Sequence, residues 1–300
     1  MPTPPPQAKN PPHRRLPDWL RRPLPVSPTF AKTQTLLSEL GLHTVCESAK
    51  CPNHWECWSQ GTATFMIAGD RCTRACSFCA VSVAKPFPLE PDEPDRIAKA
   101  TARMKLRHVV ITAVARDDLA DGGSDHFART ITAIRKQNSG TVIEILTPDF
   151  NEKSTALQRV LETQPDIFNH NLETIRRLTP QVRSRATYDR SLQILRKVKE
   201  LASYPVVTKS GIMLGLGEER REILQTMDDL RAAQCDILTM GQYLQPTTCH
   251  LPVADFIPPE TFDELGEQAK AKGFQHVASG PMVRSSYHAA EFRLPTTEAS

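Results

Sequence analysis

Six of the eight cysteines lie between residues 46 and 79. They form two triplets, Cys46/Cys51/Cys57 with the spacing CxxxxCxxxxxC and Cys72/Cys76/Cys79 with the spacing CxxxCxxC. In a reducing compartment, thiols this close together ligate metal more often than they pair as disulfides. A tight CxxxCxxC loop can turn three thiolates inward, and a 4Fe–4S cluster takes four ligands. Three cysteines leave one iron with an open position, which suits binding of a substrate or cofactor better than simple electron storage. The competing chemistry is a zinc knuckle, but no fourth ligand follows Cys79 at a typical zinc spacing. For the upstream triplet the alternatives are a zinc site shared with His54 or a redox disulfide. Cys235 and Cys249 stand apart without ligand-like spacing and read as structural or incidental thiols.

From residue 64 onward, short β-branched or apolar runs alternate with longer amphipathic stretches, the rhythm of βα units around a parallel sheet. Six strands are predicted, at 64–68, 108–114, 142–147, 166–170, 206–214 and 236–241. Helices are predicted near 94–106, 124–137, 152–163, 189–202, 219–233 and 259–272. Six units fall two short of a closed eightfold barrel. The expected α/β fold is therefore an incomplete (β/α)6 TIM-type barrel with N-terminal and C-terminal extensions, and an open doubly wound sheet is the alternative. In both, ligands bind at the C-terminal ends of the strands. The second triplet follows the first predicted strand, so it falls on that face. Ten of the first 28 residues are proline, which makes the segment 1–29 an extended arm. Ser27-Pro28 reads as a helix N-cap with proline at the first helical position, and Gly41 as the terminator. Residues 30–62 form an extension that carries the first triplet in a loop-like segment, 63–273 the partial barrel, and 274–300 a tail.

Other polar residues fall near the predicted strand ends. Thr112, Arg116 and Asp117 surround the end of the second strand. Asn171 and Glu173 follow the fourth, where a carboxylate could meet an ammonium group, and Arg185 offers a bidentate fork for a carboxylate. Gly215 and Gly217 sit in a glycine-rich turn that could cradle a ligand or simply join strand to helix. Asp121-Gly122-Gly123 is a turn by composition. His170 and His288 read as structural histidines.

The 300 residues are 39% hydrophobic and carry a formal charge of +3. This is enough for one large core with extensions or for two ordinary domains, between which length does not choose, and it lacks the basic stripe of a nucleic-acid binder. No apolar run approaches the roughly 18 residues that cross a bilayer, and the start lacks a secretory core. The expectation is a cytoplasmic protein with no nucleic-acid or membrane partner.

Cys72-Thr-Arg-Ala-Cys76-Ser-Phe78-Cys79 resembles the signature of the radical S-adenosylmethionine (SAM) superfamily, including the aromatic residue before the last cysteine. That resemblance implies that Cys72, Cys76 and Cys79 hold a 4Fe–4S cluster whose open iron chelates SAM. Reductive cleavage would yield methionine and a 5′-deoxyadenosyl radical that abstracts hydrogen from an unactivated carbon. CESAKCPNHWECW, at 46–58, resembles the auxiliary-cluster motif of the lipoyl synthase family. The likeness extends through RDDLADGG, FNHNLET and KSGIMLGLGE to GPMVRSSYHA. It implies two 4Fe–4S clusters, the auxiliary one held by Cys46, Cys51, Cys57 and a serine of the RSSY segment. Ser285 and Ser286 are the candidates, with Ser286 favoured by alignment to the motif. A serine oxygen is a harder donor than thiolate, so that corner of the cluster should open most easily.

The implied reaction inserts two sulfur atoms, at C6 and C8 of a protein-bound octanoyl chain, with the auxiliary cluster as sulfur donor. The cofactor-contact candidates are Phe78, Thr112, Asn171, Glu173, Arg185 and Gly215. Implied partners are an octanoylated lipoyl carrier domain or glycine-cleavage H protein, a ferredoxin or flavodoxin reductant, and iron–sulfur assembly proteins. Competing readings are a biotin-synthase-like enzyme acting on a free small molecule and a non-enzymatic iron–sulfur or zinc protein. The upstream triplet together with RSSY argues against the first, and an iron and sulfide count tests the second.

Overall fold

The structure is a computed structural model that describes residues 15–21, 27–287 and 289. Most of the proline-rich arm, and the tail from residue 290 together with His288, lie outside the described residues. A short 3-10 turn, Asp18–Leu20, precedes α1 (Pro28–Glu39). The Ser27 hydroxyl accepts the Thr29 N–H, and proline opens α1, as expected. Gly41, at φ +56°, takes the left-handed position that ends it. Next come β1 (His43–Thr44), α2 (Val45–Ser48) and α3 (His54–Ser59). The first cysteine triplet therefore rides on and between two short helices instead of a loop. The Thr44 hydroxyl caps α2 by accepting the Glu47 N–H, a local stop that the polar composition concealed.

The βα units follow. They comprise β2 (Thr64–Ile67), the two-residue strands β3 (Arg71–Cys72) and β4 (Ser82–Val83), α4 (Glu93–Arg103) and β5 (His108–Ala113). Then come α5 (Ser124–Gln137), β6 (Val142–Leu146), α6 (Ser154–Leu161), β7 (Ile167–Asn169), α7 (Thr179–Val182) and α8 (Tyr188–Leu201). The last are β8 (Val207–Leu214), α9 (Arg220–Ala232), β9 (Ile237–Gln242), α10 (Pro259–Ala271) and β10 (His276–Ser279). All six predicted strands and their six helices are present. The main sheet runs β1-β2-β5-β6-β7-β8-β9-β10. Only β1 is antiparallel, and the two end strands do not pair with each other. Strand order thus follows chain order without reversal, which is the singly wound path of an open barrel and not that of a doubly wound sheet. β10 extends the parallel sheet to a seventh strand within the segment assigned by sequence to the tail.

The two faces of the sheet differ in chemistry. Phe65, Ile67, Val109, Ile111, Ile143, Ile145 and Phe168 point outward and are sealed by the helices through Ile97, Phe127, Ile131 and Leu157. Each such burial contributes about 1.5–3 kcal/mol. A second cluster joins Leu214, Leu238 and Met240 to Met227, Leu230, Phe262 and Leu265. The alternate residues face inward. Ile167, Val207 and Ile237 make a small apolar floor, and above it Glu144, Asn169, Lys209 and Thr239 line a polar interior. Inside it Lys209 Nζ donates to Glu144 Oε1 at 2.8 Å, and His108 Nε2 lies 3.2 Å from Glu144 Oε2. Burial raises the Glu144 carboxyl, but the Lys209 ammonium and His108 together hold it down to about 2.

Candidate functional site

Cys72 ends β3, and β3 pairs with β4 in the register Arg71↔Ser82 and Cys72↔Val83. This clip closes the loop that carries Cys76 and Cys79. The chain enters the loop through Ala68, which sits at φ +65°, a costly position for a residue with a Cβ. Both of its backbone groups are held. Its N–H donates to Glu93 Oε2 at 2.9 Å, and its carbonyl accepts from Arg116 Nη1 at 3.0 Å. Arg116 is thereby occupied by structure, and its fork also grips Asp118.

Within the loop, Arg74 is buried and binds Asp117 bidentately at 2.9 and 2.7 Å, while the same guanidinium reaches Asp149 at 2.6 Å and Asn151 at 2.9 Å. Beyond it, Ser77 bonds the carbonyls of Gln181 and Val182, and the Cys79 carbonyl meets His250 Nε2 at 3.0 Å. Ends of β5 and β6 and the 181–182 and 250 segments therefore hold one loop. The Arg74 backbone N–H donates to the Cys72 sulfur at 3.4 Å, the type of contact that tunes cluster sulfurs. All three thiols are free. Burial pushes the Cys79 thiol up to about 12, reinforced by the neighbouring Cys76, Cys72 and Glu173 charges. Glu173 lies near enough to Cys79 for its charge to act on the thiol, so the cluster loop and the end of β7 border one space.

Around that space the predicted residues separate. Glu173 takes φ +68° just past β7, its N–H donating to the Gly211 carbonyl and its own carbonyl accepting from Met213. Burial raises its carboxyl, against the Arg183 charge and a hydrogen bond from the Asn171 side chain. Asn171 Nδ2 donates to Ser285 Oγ at 2.9 Å. Its Oδ1 is buried and has no partner among the described residues. Thr112, at the inner end of β5, donates to the Leu146 carbonyl. Phe78 packs on the second apolar cluster. Gly215, at φ +100°, leaves no room for a Cβ, which would lie 2.2 Å from Gln242 Nε2. Its N–H is taken by Glu218 and its carbonyl by Ala254 and Asp255, so the glycine serves a packed turn. The Arg185 side chain is 63% exposed and pairs with Asp117 at 3.4 Å. The enclosed arginine is Arg183, which donates to the Asn171 carbonyl and to Ser191. Both ring nitrogens of His170 are bonded, to the Thr147 carbonyl and Ser191, and burial with the Arg183 charge lowers its pKa to about 4. It is a neutral structural histidine, as expected.

The upstream triplet is built from α2, α3 and the chain end. Burial, with Cys51 beside it, raises Cys46 to about 11. Burial, with Cys46 and Cys51, raises Cys57 to about 12. Thr64 Oγ1 donates to Ser286 Oγ at 2.8 Å. Arg284 has its guanidinium enclosed and sets a positive charge against Cys51. Asn53 Nδ2 donates to the Met282 carbonyl at 2.7 Å and the Tyr287 hydroxyl to Glu56 at 2.9 Å. Segment 282–287 therefore lies along residues 51–64. A Cβ at Gly241 would come within 2.0 Å of the Val283 carbonyl oxygen, so β9 admits the segment only because this position is glycine.

These donor sets fit iron–sulfur clusters. The Cys46, Cys57 and Cys79 thiols, raised well above their usual range by burial, stay protonated at neutral pH without a cation, and metal binding is what would deprotonate them. Among the described residues, no three His, Cys, Asp or Glu side chains converge to hold a single metal ion. Sequence reasoning overlooked Arg74, Arg183 and His250, residues of common type whose importance lies in partners far along the chain.

The description "Radical SAM superfamily" matches residues 66–230, and "N-terminal domain of lipoyl synthase of Radical_SAM family" matches residues 6–51. A lipoyl synthase of Symbiobacterium thermophilum is 54% identical over 277 residues, covering 92% of this chain and 86% of the relative. One from a Geobacillus species is 54% identical over 285 residues, covering 95% of each chain. One from Rhodopirellula baltica is 55% identical over 280 residues, covering 92% and 88%. Among solved structures, methylornithine synthase (PylB) superposes with a TM-score of 0.51 at 15% identity, over 92% of this chain and 86% of that one. The Carboxydothermus hydrogenoformans maturase HydG gives 0.56 at 11% identity, over 88% and 69%. These last two likenesses show the fold.

Proposed function

Because the chain belongs to the lipoyl synthase family of the radical SAM superfamily, we propose that it converts an octanoyl group on a carrier-domain lysine into a lipoyl group, with an auxiliary 4Fe–4S cluster as the sulfur donor. The observation that carries the second-cluster reading is the junction at Thr64. Its hydroxyl bonds Ser286, and segment 282–287 lies along residues 51–64, which supports a serine oxygen beside the cysteine triplet. Cys46, Cys51, Cys57 and Ser286 are then the ligands of the donor cluster, a reagent consumed in the reaction. Ser285, bonded to Asn171, faces the other site.

Cys72, Cys76 and Cys79 hold the second cluster, which with bound SAM supplies hydrogen abstraction from unactivated carbon. The protein's part is placement. Arg74 and His250 fix the cluster loop, and the enclosed Glu173 carboxyl is suited to accept the cofactor's ammonium group. Asn171 offers its unpartnered oxygen beside it, and Phe78 and Thr112 border the same end of the barrel. Arg185 and Gly215 are secondary candidates, since the first is exposed and the second has its backbone groups occupied. No base is required, so the neutral His170 takes no part. Each insertion exchanges one C–H bond for one C–S bond, and two SAM molecules serve one lipoyl group.

The partners in this reading are an octanoylated lipoyl domain or glycine-cleavage H protein, a ferredoxin or flavodoxin, and assembly proteins that rebuild the donor cluster. Among the described residues, no helix is long and apolar enough to cross a membrane. The test incubates anaerobically reconstituted, reduced protein with SAM and an octanoyl-lysyl peptide. The expected result is 5′-deoxyadenosine together with dithiolated peptide, and the absence of both would refute the assignment.

A further inference from the structure

We propose that Ser285 is a positioning residue that couples the two cluster sites, its hydroxyl holding the Asn171 side-chain amide so that a ligand engaging Asn171 steadies Ser286 at the auxiliary triplet. The inference deepens the function proposed above and rests on its assignment of Ser286 to the auxiliary cluster.

The two serines of one dipeptide are gripped from opposite sides. Asn171 Nδ2 donates to Ser285 Oγ at 2.9 Å and Thr64 Oγ1 to Ser286 Oγ at 2.8 Å. The first partner stands just past the end of β7 and the second at the start of β2. A continuous path therefore runs from Asn171 through Ser285 to Ser286 and Thr64. Asn171 is 6% exposed, yet its Oδ1 has no donor among the described residues. A buried acceptor without a donor carries a desolvation cost that an arriving ligand donor removes. The oxygen stands where a Cβ on residue 211 would come within 3.0 Å of it, and Gly211 keeps the space open. A donor that engages Oδ1 polarises the amide and strengthens donation from Nδ2 to Ser285, since linked hydrogen bonds reinforce one another. Ligand binding at this end of the barrel therefore tightens the segment that presents Ser286. Binding linkage is reciprocal, so an occupied auxiliary site must raise affinity for the ligand by the same factor.

The test uses reconstituted holoprotein with a ferrous chelator and no reductant, so that SAM binds without turnover. Iron release is followed in the presence and absence of SAM, and the auxiliary phase is identified as the one missing from Cys51→Ala. SAM is expected to slow that phase about fivefold, the scale of one hydrogen bond. Ser285→Ala should keep the phase but lose its response, and Ser285→Thr, which retains the hydroxyl, should restore it. Cys51→Ala, which empties the auxiliary site, should bind SAM more weakly by calorimetry, the reciprocal direction of the same linkage. An undiminished response in Ser285→Ala would overturn the coupling. Reconstitution to only about four iron per chain would instead overturn the two-cluster reading, and the coupling with it.

Discussion

The Thr64 hydroxyl donates to Ser286 Oγ at 2.8 Å across a sequence separation of 222 residues. This one bond ties the first barrel strand to the segment 282–287 that runs along the upstream cysteine triplet. Thr64→Val preserves the shape and deletes the donor. Reconstituted variant is expected to lose auxiliary-cluster iron several-fold faster to a chelator, the effect of about 1 kcal/mol, while cleavage of SAM in the absence of peptide stays unchanged. Iron release at the wild-type rate would show that Thr64 does not hold the serine.

On the proposed function, the two cysteine triplets have separable duties. Cys76→Ala should abolish 5′-deoxyadenosine formation, because it removes a ligand of the cluster that meets the cofactor. Cys51→Ala should retain cleavage and stop thiolation. Chromatography of nucleoside and peptide products decides both, and lipoyl product from Cys51→Ala would exclude the auxiliary cluster as donor.

Arg74 lies between two carboxylates, with side-chain exposures of 5% for Arg74, 12% for Asp117 and 0% for Asp149. Arg74→Gln strands both acids and should destabilise the fold by about 3–5 kcal/mol, measured as a lower midpoint in chemical denaturation. Arg74→Lys keeps the charge but cannot supply the bidentate fork. It should fold with a smaller loss, and the electron paramagnetic resonance spectrum of the Cys72/Cys76/Cys79 cluster should shift because the loop is less well held. An unaltered spectrum and midpoint in both variants would show that the loop does not depend on this anchor.

Glu144 makes stability depend on acid. Its carboxyl is held down to about 2 from an ordinary 4.5, so on acidification the unfolded chain takes up the proton first. The stabilisation is full above about 4.5 and is lost as pH falls through about 2. Glu144→Gln leaves Lys209 buried without a counter-charge and should cost about 3–5 kcal/mol at neutral pH. The difference between wild type and variant, which cancels whatever else acid does, should narrow from pH 5 to pH 3 by urea titration. A pH-independent difference would show that the pair does not carry the charge assigned to it.

The barrel was legible because its signal is local. Runs such as HVVITAV and VIEILT mark strands by composition, and amphipathic stretches mark the helices between them. β10 was missed because HVAS carries only one β-branched residue and is fixed by pairing to β9. The helices under Cys46 and Cys57 were missed because their polar faces break the apolar period by which helices are recognised.

For the site, cysteine spacing alone marked out two thiol triplets as candidate metal-binding groups, since a loop of fixed length limits where its thiols can go. The tertiary structure decided what surrounds them. It separated Ser285 from Ser286, put Arg183 inside and Arg185 outside, and closed the cluster loop with Arg74 and His250. Adjacent serines, or arginines two apart, differ in nothing that sequence can express. Their roles are set by backbone direction and by partners brought close by folding. The two triplets could thus be read from the chain, and the serine that joins one of them to the other's neighbourhood could be identified only in space.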